Sequence, residues 1–320
     1  MAVASGDGDV LNVMSWITAS KGKFDMVQQN AAVPSVVAPT RDRLGESVLW
    51  HPEEQTLYWI DLLDPTIHRM RGGRGEPESW RIPGTRTLGS LTFAAGGRLM
   101  LAVDQGLVLF DPKTARMTPF ADPNDQREEV VYNDSKIDRD GRLWIGTYEK
   151  DENEPKGVLY SVERDGRYRL ADSGFPCANG PAISPDGNTL YFSDTVGKRV
   201  LAYSIERDTG RLRSCRRFAS IDPGQPDGLA TDAAGRLWVA HYRGSRVTRF
   251  LPDGTVDLVI PLPTANVTSC CLGGRDMTTL FITTAEAPAT PTPLDGALFA
   301  VEVDGPGLPE PIFDPIFSKC

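Results

Sequence analysis

The sequence is poor in most of the parts from which familiar enzyme sites are built. It has three histidines, His51, His68 and His241, and no H-x-x-x-H, which excludes a zinc-protease helix. Its five cysteines (Cys177, Cys215, Cys270, Cys271 and Cys320) fall at irregular spacings with no C-x-x-C pair. Reduced, mostly buried thiols and a cytoplasmic setting are therefore expected. Nothing resembles G-x-S-x-G, which argues against a nucleophilic-serine hydrolase. Lys and Arg number 34 against 43 Asp and Glu, a net charge of -9. A phosphate backbone needs clustered cations, so no nucleic-acid partner is expected. No run approaches the ~18 apolar residues of a spanning helix. The N-terminus lacks a basic stretch followed by an apolar core, so neither membrane association nor a signal peptide is expected.

What the sequence does contain is a repeat. SVLWHPEEQTLYWID begins at Ser47, SLTFAAGGRLMLAVD at Ser90 and SKIDRDGRLWIGTY at Ser135. PAISPDGNTLYFSD follows from Pro181, GLATDAAGRLWVAHY from Gly228, and a weaker copy, SCCLGGRDMTTLFITTA, from Ser269. The copies start roughly 41–47 residues apart, the period of a propeller blade. Each unit has an apolar run, a turn rich in Asp and Gly, and a second alternating run, then in most units a third strand such as GVLYSVE. Almost nothing shows a 3.6-residue period. The fold class is thus all-β, a six-bladed β-propeller. Residues 31–320 form a single ring, with SVVAPT near Val36 closing it beside GALFAVEVD. Residues 1–30 lie outside the repeat and read as an N-terminal extension. A closed ring is expected to be a monomer.

The repeat also aligns residues that converge on the axis. The positions just before the first strand of each unit are Glu46, Gly89, Asn133 or Asp134, Asn179, Asp227 and Thr268. Small or turn-forming residues are ordinary at such a place, and Asn179-Gly180 and Asp227-Gly228 are good turn dipeptides. Glu46 has no turn role. Carboxylates and amides gathered in one narrow tunnel repel one another unless a cation neutralises them or one is protonated. An all-oxygen set suits Ca, Mg or Mn, with Zn and Fe left open.

At these residues the chain resembles the regucalcin (senescence marker protein)/gluconolactonase family over nearly the whole ring. The motifs are LGESVLWHPEEQTLYWID, YNDSKIDRDGRLWIGT, ANGPAISPDGNTLYFSD and QPDGLATDAAGRLWVAHY. The resemblance implies one divalent metal ion held by Glu46, Asn179 and Asp227, with Asp227 also the general base and Asn133 contacting substrate. It implies a metal-dependent hydrolase that opens a sugar-acid lactone, a small-molecule substrate. Tyr132 and His241 are expected to line the substrate pocket. Sugar lactonases of this family carry an Arg two residues before the substrate Asn; here that position is Val131. The acidic loop YEKDENEPKG places Glu149 or Asp151 near the rim, where a solvated loop is the simpler reading. Two other functions stay open: a metal-dependent phosphotriesterase or aryl-esterase, and a calcium-binding propeller without catalysis.

Overall fold

The computed structural model describes residues 33–317 apart from Gln126, so the segment 1–30 lies outside the described residues. Among the described residues there are strands and turns but no helix, hence none long and apolar enough to cross a membrane. The strands form six four-stranded antiparallel sheets. Blades one to five are simple meanders whose innermost strands are Gly45–His51, Leu88–Ala94, Val130–Ile137, Ala178–Ile183 and Gln225–Thr231. Blade six opens with Val267–Gly273 and takes its outermost strand from the other end of the chain. Ser35–Ala38 pairs with Leu298–Glu302 through Ser35↔Ala300 and Val36↔Phe299, so the ring is closed as the sequence predicts.

The recurring D-x-x-G-R-L-W grammar has a local cause. In blade three, Asp138 Oδ1 accepts from the backbone N–H groups of Asp140 (2.9 Å) and Arg142 (3.0 Å), which folds the turn between the first two strands. Its other oxygen accepts from Trp144 Nε1 at 2.9 Å. Asp232 repeats the arrangement in blade five, accepting from Ala234 N, Arg236 N and Trp238 Nε1. One short carboxylate thus sets a hairpin and anchors the indole that follows. Blade four uses Ser184 instead, whose Oγ accepts from Thr189 N at 2.9 Å.

A blade cannot bury its faces alone. The apolar residues divide into six clusters, each shared by two adjacent blades. Trp50, Trp59 and Phe281 fill the seam between blades one and six, and Trp144 and Phe192 the one between blades three and four. At ~1.5–3 kcal/mol for each fully buried large side chain, these seams hold the ring together. The side chains on them are spoken for by packing. Chemistry is left to the residues facing the shaft.

Candidate active site at the head of the shaft

Every innermost strand is bulged at the same phase. The register slips between Glu46 and Leu49, Leu88 and Ser90, Tyr132 and Ser135, Asn179 and Ala182, Pro226 and Leu229, and Val267 and Ser269. A bulge sets two residues opposite one and re-aims side chains that the ladder would direct elsewhere. Glu46, Asn133, Asn179 and Asp227 therefore lie inside the first strands, a correction to the position before them that the repeat suggested. The bulge breaks the alternation by which a strand is recognised, so in the sequence each strand reads as starting late.

The bulges gather more negative charge than the repeat suggested. Glu46, Asp134 and Asp227 are all buried. Burial pushes the Glu46 carboxyl well above its usual range, and the charges of Asp227 and Asp134 push it further. Asp227 is raised in the same way, by burial and then by Asp134 and Glu152, with only an Asn179 hydrogen bond opposing. Asp134 is pushed up to about 6 by burial, against the pull of Lys136, of the Ser135 N–H at 3.1 Å and of the Ser47 hydroxyl at 3.5 Å. Asn179 Nδ2 donates to Asp227 Oδ1, while Asn179 Oδ1 accepts from Gly180 N at 2.9 Å. Asn133 donates to the Ala178 carbonyl at 3.2 Å, which ties it to the strand carrying Asn179.

The chemistry of this donor set fits a hard divalent cation. A cation held by Glu46, Asn179 and Asp227 would remove the mutual repulsion that raises Glu46 and Asp227. Among the described residues no three His, Cys, Asp or Glu side chains meet as ligands of one ion, so a cation here would have to draw on amide oxygens as well.

The structure turns one of the two expected pocket residues, Tyr132, away from the shaft and leaves the other, His241, beside it. Tyr132 is turned into the seam between blades two and three, among Leu107, Leu109, Ile145 and Tyr160. Its hydroxyl donates to Asp122 Oδ1 and accepts from Asn124 N, both at 2.7 Å, so it braces the core and does not line the shaft. The alternation beside the bulge explains this: Asn133 faces the axis and its neighbour faces the seam. His241 pairs in register with Pro226, one residue from Asp227, and is buried. Its Nδ1 lies 2.9 Å from the Pro223 carbonyl, its Nε2 has no hydrogen-bond partner, and burial lowers its pKa to about 4.

At the rim it is Glu152, one residue beyond Asp151 and three beyond Glu149, that turns inward. Glu149 folds its carboxylate back onto its own loop, accepting from Asn153 N at 3.0 Å and Glu154 N at 3.4 Å. That cap presents Glu152, whose backbone is left-handed at φ 54°. The Glu152 carboxylate reaches the Cys177 thiol and acts on Asp227, with Arg243 close by. Arg243 in turn stacks over the Tyr242 ring at 5.2 Å. Glu152 and Cys177 carried no signal in the repeat, since neither lies on an innermost strand of the blade whose chemistry it joins. Asp134 did carry one, because adjacent Asn133 and Asp134 share a bulge.

A closed propeller with a polar, carboxylate-rich cluster at one mouth of its shaft defines an axial-site propeller of the enzyme type. The chain belongs to the SMP-30/Gluconolactonase/LRE-like family, whose description matches residues 44–286. It is similar to the 6-deoxy-6-sulfogluconolactonase of Pseudomonas putida, at 34% identity over 84% of this chain and 94% of that one. It is also similar to the pentonolactonase XacC of Haloferax volcanii, at 30% identity over 86% and 96%. Among solved structures, a regucalcin from Agrobacterium tumefaciens, described as a calcium-binding protein, superposes with a TM-score of 0.82 at 25% identity, covering 88% of this chain and 97% of that one.

Proposed function

We propose that the protein opens a sugar-acid lactone by hydrolysis at the head of the shaft, with one divalent cation held by Glu46, Asn179 and Asp227. The observation that carries this reading is the convergence of three buried carboxylates and two amides at one set of strand bulges. Membership of a family whose relatives are named for sugar-lactone hydrolysis gives the convergence a chemistry.

A bound divalent ion supplies Lewis-acid polarisation of a lactone carbonyl and stabilises the negative charge that develops on its oxygen. The chain's own groups do the rest. Asp227 takes the proton of the attacking water, held in place by the Asn179 amide that donates to its Oδ1. Asn133, fixed through Ala178, orients the substrate. Glu152 at the rim accepts hydrogen bonds from sugar hydroxyls, in place of the guanidinium absent at Val131. His241 stays neutral at physiological pH and offers Nε2. Ring opening leaves a free carboxylate on the product, which a cluster of carboxylates repels and so helps to release. The unpaired state of the four described cysteines fits a cytoplasmic setting.

The decisive experiment is a panel of aldonolactones assayed with chelated protein and then with Ca²⁺, Mg²⁺, Mn²⁺, Zn²⁺ and Fe²⁺ restored singly. Turnover of at least one lactone that vanishes on chelation supports the reading. The buried, apolar Val131 beside Asn133 favours one rival, hydrolysis of aryl esters or phosphotriesters, so both belong in the panel. Ion uptake without turnover of any of these would leave a calcium-binding propeller.

A further inference from the structure

The polar column does not stop at the carboxylates. Three residues along the same strand from Asn133, Lys136 is buried, and its ammonium lies 3.2 Å from Glu310 Oε1. The same ammonium is within electrostatic reach of Asp134. Lys136 therefore stands between the carboxylate cluster above and a single carboxylate below.

Glu310 belongs to the C-terminal segment, which crosses the far mouth of the shaft where the first two strands of each blade turn. The Pro306 carbonyl accepts from Ala233 N at 3.0 Å in blade five, and the Pro309 carbonyl from Arg139 at 3.2 Å in blade three. Phe313 exchanges backbone bonds with blade two, its N–H to Phe93 O and its carbonyl from Ala95 N, both at 2.8 Å, and its ring is fully buried. Glu310 is thus held from both sides. The cavity that Lys136, Ile183, Thr231, Leu308 and Glu310 enclose is about 10 Å³, room for little more than one water.

We infer that Glu310 is a positioning residue for the cation site: it draws the Lys136 ammonium toward the tail and keeps that charge from settling on Asp134. The inference rests on the cation site proposed above. A lysine stem is flexible and its ammonium is a point charge. Freed from Glu310, it would move to the nearest buried carboxylate and cancel part of the field that attracts a divalent ion. Loss of the Glu310 charge itself acts in the same direction.

The test is calorimetric titration of the chelated full chain with Ca²⁺ and with Mn²⁺. Glu310→Gln is expected to weaken both by roughly 5–20-fold while the chelated protein keeps its Tm. Asp314→Asn, which breaks the exposed Arg164–Asp314 pair further along the same segment, is expected to leave both affinities unchanged. In a Lys136→Met background the effect of Glu310→Gln is expected to shrink to about twofold or less, because no ammonium remains to be moved. An unchanged affinity in Glu310→Gln overturns the inference, and so does an equal loss in Asp314→Asn, which would mean that docking of the tail matters and its charge does not. Failure of the unaltered protein to take up either ion would overturn the site itself; an unaltered protein that binds beside an indifferent Glu310→Gln removes only the role of Glu310.

Discussion

The six bulges fall near the same place in their innermost strands, yet they divide into two kinds. Blades one, three, four and five put Glu46, Asn133 with Asp134, Asn179 and Asp227 at the bulge; blades two and six put Gly89 and Thr268 there. Gly89 is packed so closely that a Cβ would lie 2.3 Å from the Tyr132 carbonyl oxygen of blade three. Thr268 donates to the Gly45 carbonyl and so ties blade six to blade one just before Glu46. The same backbone device aims a donor into the shaft in four blades and closes the wall of the shaft in the other two. Side-chain chemistry decides which.

That contrast can be broken from either side. The largest effect is expected on the donor side. Asp227→Asn should lower lactone turnover by roughly 10²–10⁴-fold at saturating cation, measured as initial rates on the best lactone of the panel. Glu46→Gln should weaken cation binding by roughly 100-fold or more, read by titration. It should also stabilise the chelated protein at neutral pH. A carboxyl whose folded pKa is raised binds its proton more tightly in the folded state, so its ionisation costs stability as pH rises through the raised value. Below the unfolded value of ~4.3 that cost is absent. The Tm advantage of Glu46→Gln over the parent should therefore be present at pH 8 and close as the pH falls toward 4.

On the wall side the effects should be on folding. Gly89→Ala should lower Tm by roughly 5–10 °C through the clash with the Tyr132 carbonyl. Smallest is Tyr132→Phe, which removes the hydroxyl from Asp122 and Asn124 and should cost ~1–2 kcal/mol by denaturant titration. Its KM for lactone should not move. A clear rise in KM would return Tyr132 to the pocket and undo the division between wall and seam.

The sequence made the ring legible because a blade is a local unit. The turn of Asp138 and the anchor of Trp144 recur at Asp232 and Trp238, and equal spacing brings equal positions to one axis. Phase, and not residue type, is what makes Glu46, Asn179 and Asp227 candidates. What the phase could not convey was the direction of side chains next to a bulge. Tyr132 neighbours Asn133 in sequence but turns its ring to the opposite side, and Asp134 joins the cluster because a bulge lets two successive residues face inward. Glu152 was hidden for another reason: a loop capped by its own Glu149 carries it over from the edge of blade three. Lys136 and Glu310 are far apart in sequence and meet only because the tail folds across the ring.

Closure of the last blade by Ser35–Ala38 has a consequence for the order of events during folding. The seam between blades six and one is the place where the two ends of the described chain must find each other, and Glu46 and the Thr268 tether stand beside it. Pairings of such long sequence separation form slowly. Capture of the proposed ion would need Glu46 from one side of that seam and Asp227 from the other, so it would be among the last things to become possible. A newly made chain that has zipped shut would complete the proposed cation site in the same step.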